Sequence, residues 1–252
     1  MSANEPANPF DLTGKVALIT GGSRGLGREM ALAFARAGAD VVITSRKVDA
    51  CEAVAAEVEE IGRRALAVGC HVGRWADIDA LVEAAYAGFG RVDVLLNNAG
   101  MSPLAPSSAD TSEELFDKVV GVNFKGPFRL SALVGQRMVA GEGGSIINVS
   151  SSGALCPDPL FGTYAASKAA LNALTTAFSK EFGPTVRVNT ISAGPFLTDI
   201  ADAWPAGARE KTNSSIGRPG QPEEIVTTAL YLASPASSYT TDALIRVDGG
   251  LH

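Results

Sequence analysis

Two residues able to do acid-base chemistry, Tyr164 and Lys168, stand four positions apart in a stretch of strongly helical composition. Side chains at this spacing project from one face of an α-helix, so both can reach the same ligand. A phenol is a poor acid or base near neutral pH, and a nearby ammonium lowers its pKa by favouring the phenolate. The spacing therefore fits a proton donor, Tyr164, that is tuned by Lys168. Solvent-exposed helices often carry the same pair, so its meaning depends on the surrounding residues.

Three consecutive serines, Ser150, Ser151 and Ser152, end a predicted strand ahead of this helix. A hydroxyl at that place can hold a substrate oxygen on which negative charge develops. Because side chains alternate along a strand, Ser150 is expected to point away from the face that Ser151 occupies.

A glycine-rich segment, Thr20-Gly21-Gly22-Ser23-Arg24-Gly25-Leu26-Gly27, follows the first predicted strand and opens the first predicted helix. Glycines let the main chain approach a pyrophosphate closely, and a helix N-terminus offers free N–H groups with a partial positive charge. A tight strand-to-helix turn would also use glycine, but the spacing and position here are those of a phosphate cradle.

Short apolar runs alternate with amphipathic segments along nearly the whole chain, which predicts an α/β fold. The runs read as strands buried on both faces, and they cover residues 15–20, 40–44, 64–68, 92–96, 145–149, 186–191 and 243–247. The helical segments between them cover residues 27–37, 50–61, 77–89, 112–139, 164–182 and 222–233. The alternation indicates a doubly wound, three-layer Rossmann-type sandwich with a seven-stranded parallel sheet, in which ligands bind beyond the carboxyl ends of the strands.

The 252 residues carry a net charge of −6, which argues against a nucleic-acid partner. No apolar run is long enough to cross a bilayer, and the cysteines at 51, 70 and 156 have neither zinc-site spacing nor disulfide density. We expect no metal site, no membrane contact and a cytoplasmic location. Residues 1–11 are predicted to be a flexible leader, residues 12–252 one domain, and residues 194–220 a substrate lid.

The motifs together resemble the single-domain branch of the short-chain dehydrogenase/reductase family over about residues 12–250. The resemblance is carried by the glycine-rich segment, by Asn97-Asn98-Ala99-Gly100, by Tyr164-Ala-Ala-Ser-Lys168 and by Asp248-Gly249-Gly250. Family members of this branch include acyl-carrier-protein ketoacyl reductases and steroid and sugar dehydrogenases. The resemblance implies an enzyme that moves a hydride between nicotinamide and a carbonyl or alcohol substrate, commonly as a homotetramer, with a homodimer as the alternative.

The resemblance also assigns roles to residues. Tyr164 is the acid-base, Lys168 tunes it and holds the nicotinamide ribose, and Ser151, thirteen residues before Tyr164 in an Asn-x-Ser-Ser pattern, holds the substrate oxygen. The backbone carbonyl of Asn123 would bind a water that relays protons through Lys168, although a helix-kinking role beside two glycines is the alternative. The expected cofactor-binding residues are Gly21, Ser23, Arg24, Gly25, Leu26, Gly27, Ser45, Arg46, His71, Val72, Asn98, Ala99, Gly100, Tyr164, Lys168, Phe196 and Thr198.

The end of the second predicted strand bears on the choice of nucleotide. An acidic residue there accepts from the adenosine ribose 2′-hydroxyl of NAD and would repel a 2′-phosphate. This strand instead ends in Ser45 and Arg46. Arg46 and Arg24 can clamp a phosphate with charge-assisted hydrogen bonds, and Ser45 adds a hydroxyl donor. We therefore predict NADP(H) as the preferred cofactor, with NAD(H) as the alternative.

Two positions depart from the family pattern. His71 stands where an Asp usually meets the adenine amino group, and a neutral imidazole can accept there only in the right tautomer. Ala193 replaces the usual proline before Gly194, which is expected to loosen the turn while keeping Thr198 in register with the nicotinamide carboxamide.

Two rival functions stay open at this point. One is an NAD-linked sugar or polyol dehydrogenase, and the other is a nucleotide-sensing protein without turnover, although such proteins usually lack the tyrosine. Apolar side chains at Leu160, Phe161 and Trp204 suit a hydrophobic or ring-containing carbonyl, but they serve equally as lid packing.

Overall fold

The computed structural model describes residues 8–199, 201, 207 and 209–251. Its strands are β1 Val16–Thr20, β2 Asp40–Ser45, β3 Ala65–Gly69, β4 Val94–Asn97, β5 Gly144–Ser151, β6 Val186–Ala193 and β7 Leu244–Val247. Its α-helices are α1 Gly25–Arg36, α2 Val48–Glu60, α3 Trp75–Phe89, α4 Glu113–Val120, α5 Gly126–Ala140, α6 Gly162–Phe182 and α7 Val226–Ala233.

The strands form one parallel sheet in the order β3-β2-β1-β4-β5-β6-β7. The chain runs outward from β1 to β3 and then returns to the other side of β1 at β4, so the strand order reverses between β1 and β4. The predicted fold class, a doubly wound Rossmann-type α/β sandwich with seven parallel strands, is confirmed. Ligands of such sheets bind in the crevice beyond the carboxyl ends of the strands at this reversal.

The core lies on both faces of the sheet because successive side chains of a strand point in opposite directions. On β1, Ile19 belongs to the cluster under α1, α2 and α7, whereas Leu18 belongs to the cluster under α3, α5 and α6. Both side chains are fully buried. Truncating either one to alanine is expected to cost about 2–5 kcal/mol, since the side chain is lost and a cavity remains.

The helix predicted over residues 112–139 is divided. It consists of α4, a π-helical turn at Gly121–Lys125, and α5. A Cβ on Gly126, the first residue of α5, would lie 2.2 Å from the carbonyl oxygen of Val72, so the chain after the π-helical turn packs closely on Val72. The helix expected over residues 222–233 likewise begins as a 3₁₀ turn, Pro222–Ile225, before α7. The other predicted elements are present with boundaries shifted by a few residues.

The two ends of the predicted lid are tied together. Leu197 N–H donates to the Gly220 carbonyl and Gly220 N–H donates to the Pro195 carbonyl, both at 2.9 Å. Further along, Ser215 N–H donates to the Gly250 carbonyl at 3.0 Å. Trp204, which the sequence suggested for the pocket wall, lies outside the described residues. The segment therefore leaves and rejoins the sheet beside the carboxyl ends, and its motion stays a prediction.

Candidate active site

The helix that carries Tyr164 begins at Gly162, which places the phenol in the first turn of α6 beside the end of β5. The Tyr164 phenol lies near the Ser151 hydroxyl, and the Phe161 ring meets the Tyr164 ring edge-on with centroids 6.2 Å apart. Burial raises the pKa of Tyr164 above its ordinary value, and the Ser151 hydroxyl opposes that shift because a donor stabilises the phenolate. The lowered pKa expected from Lys168 is thus not found in this arrangement, since burial outweighs every favourable contact of the phenol.

The three serines at the end of β5 point to different surroundings. Ser150 is buried and donates to the backbone carbonyl of Lys168 at 3.3 Å, as strand alternation requires. Ser151 accepts from the Gly153 N–H at 3.0 Å and keeps its hydroxyl beside Tyr164. Ser152 begins a buried 3₁₀ turn. The structure therefore brings Ser151, and neither neighbour, to the phenol.

Lys168 is buried one helical turn beyond Tyr164. Its Nζ donates to the Val149 carbonyl at 2.7 Å, and burial lowers the pKa of the amine to about 8. A Cβ built on Gly100 would lie 3.4 Å from Lys168 Nζ and 3.3 Å from Asn123 Oδ1. Gly100 thus separates the lysine from the asparagine, and a larger residue there would press on both.

Asn123 sits in the π-helical turn with its side chain fully buried. Its Nδ2 donates to the Met101 carbonyl at 2.9 Å and to Ser167 Oγ at 3.2 Å, and its Oδ1 accepts from the Met101 N–H at 3.0 Å. Ser167 in turn donates to the Tyr164 carbonyl at 2.7 Å. The side-chain amide of Asn123 therefore ties the loop after β4 to α6. The predicted water-binding role toward Lys168 would fall to the Asn123 backbone carbonyl, which these side-chain bonds do not use. π-Helical turns are often found at functional sites.

The glycine-rich loop has the form of an anion cradle. Gly21 and Gly25 adopt positive φ angles of 64° and 51°, and a Cβ on Gly27 would lie 2.2 Å from the Gly21 carbonyl oxygen. The N–H groups of Gly25, Leu26 and Gly27 donate to no acceptor among the described residues, and the first turn of α1 has no acidic side chain. N–H donors without a described acceptor, on a glycine-rich backbone at a helix N-terminus, fit a phosphate group. The residues present therefore suit a dinucleotide.

Asn98 and Ala99 brace this loop from the end of β4. The Asn98 Nδ2 donates to the carbonyls of Thr20 and Gly21 at 3.0 and 3.2 Å. The N–H groups of Asn98 and Ala99 both donate to Thr20 Oγ1 at 3.0 Å. Asn98 was expected to bind the cofactor; its side chain braces the loop backbone, and a cofactor contact stays a prediction. Thr20 belongs to the glycine-rich segment predicted from the sequence, but its hydroxyl, which organises this contact, was given no role there.

The two arginines predicted to hold a phosphate have different surroundings. Arg46 is exposed and has no ion pair or side-chain hydrogen bond within the described part of the chain. Arg24 pairs with Asp199 at 3.0 Å. Ser45 donates to the Lys47 carbonyl at 3.1 Å and accepts from Cys51 Sγ at 3.1 Å. Asp199 was also missed, although it directly follows a predicted site residue.

Thr198 and Phe196 occupy different environments despite their closeness in sequence. A Cβ on Gly25 would lie 3.2 Å from Thr198 Cγ2, so Thr198 faces the glycine-rich loop. Phe196 is buried in the core cluster of α1, α2 and α7. An open cleft of about 390 Å³ lies between the loop and this segment, lined by Arg24, Gly25, Arg28, Glu29, Leu197, Thr198, Asp199, Arg209 and Pro222.

Ala193, the residue in place of the usual proline, is the last residue of β6. It pairs with Ser151 on one side and Val247 on the other. The following Gly194 packs closely on Asp248, since a Cβ on Gly194 would lie 2.6 Å from the Asp248 Cα. Sheet pairing therefore holds the chain as far as Ala193, and the Gly194 N–H continues it by donating to the Val247 carbonyl at 2.9 Å.

His71 and Val72 follow β3, next to the end of β2. The His71 N–H donates to Asp77 Oδ2 at 3.1 Å, and its Nδ1 accepts from the Gly73 N–H at 3.1 Å. The Val72 carbonyl is the group that approaches Gly126. Both residues thus border the crevice on the side of β2.

The described residues contain no group of three or more His, Cys, Asp or Glu side chains able to hold a metal ion. Their three cysteines are free thiols, and burial raises the pKa of Cys70 to about 11. No helix among these residues has the length and apolar character needed to cross a membrane.

Comparison with known proteins places the chain in a family. The family model described as enoyl-(acyl carrier protein) reductase matches residues 21–252. A short chain dehydrogenase/reductase, astE, from Aspergillus oryzae is 38% identical, over 100% of this chain and 99% of that protein. The crystal structure of NADPH-dependent 3-quinuclidinone reductase from Rhodotorula rubra is 31% identical with a TM-score of 0.91, covering 99% of this chain and 97% of that one.

A structure of 7α-hydroxysteroid dehydrogenase complexed with NADH and 7-oxo glycochenodeoxycholic acid is 34% identical with a TM-score of 0.92. The match covers 98% of this chain and 97% of that chain. This chain therefore matches these known proteins in both sequence and fold along nearly its whole length. The chain belongs to the short-chain dehydrogenase/reductase family and is an oxidoreductase of the kind that acts on alcohol and carbonyl groups.

Proposed function

We propose that this enzyme prefers NADP(H) and transfers a hydride between nicotinamide and a ketone or secondary alcohol, with Tyr164 as the general acid and base. The observation that carries the proposal is the contact of Tyr164 with Ser151 at the carboxyl end of β5, one helical turn from buried Lys168. Nicotinamide, when bound, supplies or accepts the hydride. The protein's task is then to deliver and remove a proton at the substrate oxygen.

Tyr164 gives its phenolic proton to the carbonyl oxygen in reduction and takes the hydroxyl proton in oxidation. Ser151 donates a hydrogen bond to the same oxygen, which stabilises the negative charge that develops there. Lys168 has a pKa of about 8, so it can gain or lose a proton near neutral pH. Asn123 holds the loop after β4 and the first turns of α6 in place through Met101 and Ser167.

The cofactor would be held along the same edge of the sheet. The backbone of the glycine-rich loop, from Gly21 to Gly27 with Ser23 and Leu26, would take the pyrophosphate. Ser45 and Arg46 would take the 2′-phosphate, because no carboxylate ends β2 and Arg46 is exposed without a described partner. The remaining proposed contacts are Arg24, His71, Val72, Asn98, Ala99, Gly100, Tyr164, Lys168, Phe196 and Thr198.

The substrate side of Tyr164 favours an apolar or ring-containing carbonyl. Leu104, Leu155 and Leu160 are large, exposed side chains on the loops around the phenol, and Phe161 packs on its ring. The Ala105 N–H donates to the Leu160 carbonyl at 3.1 Å, which joins two of these loops. Exposed apolar side chains gathered at a site gain free energy when an apolar ligand covers them.

We also propose a cytoplasmic homotetramer, with a homodimer as the alternative. The large exposed side chains Trp75, Phe116, Phe128 and Val139 lie on α3, α4 and α5 and suit a subunit interface. Light scattering after size exclusion would give the mass directly. A monomer at micromolar concentration would contradict this part of the proposal.

The proposed function is tested by titrating the purified protein with NADPH and NADH in parallel, followed by nicotinamide fluorescence. Carbonyl reduction is then measured with the tighter-binding nucleotide on a panel of cyclic and linear ketones. Tighter NADPH binding and reduction of ring ketones are expected. Tighter NADH binding, with oxidation of sugars or polyols, would favour the NAD-linked alternative instead.

A further inference from the structure

His71 lies where a base of the proposed dinucleotide would meet the protein. It follows β3, whose end pairs with the end of β2, since Cys70 N–H donates to the Ser45 carbonyl at 2.9 Å. In doubly wound sheets the adenosine ribose is bound at the end of the second strand. The base attached to that ribose then reaches the residues after the neighbouring strand. This placement rests on the proposed function.

The ring of His71 is held in one orientation by the turn that follows it. Its Nδ1 accepts from the Gly73 N–H at 3.1 Å. A Cβ on Gly73 would lie 3.0 Å from His71 Cε1 and 3.2 Å from Nδ1, so the ring packs closely against the glycine backbone. The His71 backbone is fixed as well, by its N–H bond to Asp77.

The orientation determines which ring nitrogen carries the proton. A nitrogen that accepts a hydrogen bond has no proton of its own, so the neutral imidazole carries its proton on Nε2. Nε2 is therefore a donor. A carboxylate at this place accepts only, and would select a base edge that donates, such as the adenine amino group.

We propose that His71 recognises the nucleotide base as a hydrogen-bond donor through Nε2, and thus selects a purine edge that presents an acceptor. Adenine offers a ring nitrogen for this bond. A 6-oxopurine offers the carbonyl oxygen that replaces the amino group. This enzyme would then donate a hydrogen bond to the base at the place where a carboxylate would accept one.

The test compares the affinity of NADPH with that of its hypoxanthine analogue, in which a 6-oxo group replaces the amino group. Fluorescence titrations are made at about pH 8.5, on the alkaline side of the range in which imidazole ordinarily titrates. Wild type is expected to bind the analogue at least as tightly as NADPH. H71D, which can only accept, should shift the affinity ratio toward NADPH by about tenfold or more, the usual effect of a charge-assisted hydrogen bond. H71F should give a ratio between the two.

The ratio of the two affinities separates base recognition from general losses, because a folding defect or a charge effect on the phosphates weakens both nucleotides alike. R74D, an exposed neighbour, is the charge control and should leave the ratio unchanged. A wild-type preference for NADPH of tenfold or more, unchanged in H71D, would overturn the proposal while leaving the proposed function intact. Failure of the protein to bind either nucleotide would instead contradict the proposed function.

The tautomer can be measured without any nucleotide. The sequence has two histidines, His71 and His252, so nitrogen-15 NMR of histidine-labelled protein gives few signals, and H71F assigns them. A protonated Nε2 with an unprotonated Nδ1 in His71 is expected. The reverse tautomer would overturn the inference even if nucleotide binding had failed.

Discussion

The guanidinium of Arg24 lies 3.0 Å from the carboxylate of Asp199, which connects the glycine-rich loop to the segment after β6. Both side chains are more than half exposed, at 66% and 58%, so the pair contributes no more than about 1 kcal/mol. A dianionic phosphate is a stronger partner for a guanidinium than one exposed carboxylate. Asp199 thus competes with the proposed 2′-phosphate for Arg24.

Replacing this carboxylate should favour the phosphorylated cofactor. We expect D199N to bind NADPH up to about fivefold more tightly at low salt, the equivalent of about 1 kcal/mol, with the gain fading as salt is raised. NADH affinity should stay the same, because NADH has no 2′-phosphate. E223Q, which removes a nearby exposed charge, is the control. An equal gain for both nucleotides would mean that the carboxylate acts through its general field and not through Arg24.

Arg46 offers a second test of nucleotide preference. R46D removes the proposed partner of the 2′-phosphate and adds an acceptor for a ribose hydroxyl, so NADPH affinity should fall at least about tenfold while NADH affinity rises. Paired fluorescence titrations measure both. K47D makes the same charge change one residue further along and should alter the NADPH-to-NADH ratio much less. An unchanged ratio in R46D would mean that Arg24 or another group discriminates between the two nucleotides.

The fold could be predicted because its strands are buried on both faces, which gives continuous apolar runs such as that around Leu18 and Ile19. The opposite facing of Ser150 and Ser151 also followed from local geometry, since side chains alternate along a strand, whereas the selection of Ser151 for the site rested on its spacing to Tyr164 and on the family pattern. Both features depend on neighbours in the chain.

Other features of the site depend on contacts between distant residues. Arg24 and Asp199 are 175 residues apart, and no local pattern joins them. In the π-helical turn, Asn123 bonds to Met101, 22 residues away in the chain, and the following Gly126 packs on Val72. The pKa of Tyr164 depends on how deeply α6 buries the phenol, so a helix-face argument gave the wrong direction.

Tyr164 itself is tested by removing its hydroxyl. Y164F keeps the ring and its edge contact with Phe161 but has no proton to transfer, so turnover should fall by at least about two to four orders of magnitude. NADPH affinity should change less than threefold or so, because the cradle is untouched. Steady-state kinetics and titration are compared with Y239F, a fully exposed tyrosine. Near-normal turnover in Y164F would remove the residue from the mechanism.

Ser151 should act on both rate and pH dependence. Burial raises the pKa of Tyr164 and the Ser151 hydroxyl lowers it, so S151A should raise that pKa further. The rate of oxidation rises with pH because oxidation requires the phenolate, and in S151A this rise should move to higher pH. The rate of reduction falls at alkaline pH because reduction requires the phenol, and this fall should also move to higher pH. Loss of the donor should also reduce turnover by about 10²-fold. S150A serves as the control, and an unshifted profile for S151A would contradict the contact.

Lys168 makes a prediction about stability. Burial lowers its pKa from 10.5 to about 8, so between about pH 8 and pH 10.5 the unfolded chain holds a proton that the folded chain has released. Stability due to this residue therefore rises with pH across that window and is lost as the pH falls through 8. A shift of this size corresponds to about 3 kcal/mol.

K168M removes the buried charge but also the hydrogen bond to the Val149 carbonyl, which is worth about 1 kcal/mol. The variant should therefore be more stable than wild type by about 2 kcal/mol at neutral pH, and this advantage should vanish by about pH 10. Urea unfolding at several pH values measures the difference in the free energy of unfolding between K168M and wild type. The contributions of all other titrating groups cancel in this difference. K180M, on the exposed side of α6, should show a difference that does not vary with pH. A constant difference for K168M would mean that the amine keeps its ordinary pKa in the folded protein, and Lys168 could then not exchange protons near neutral pH.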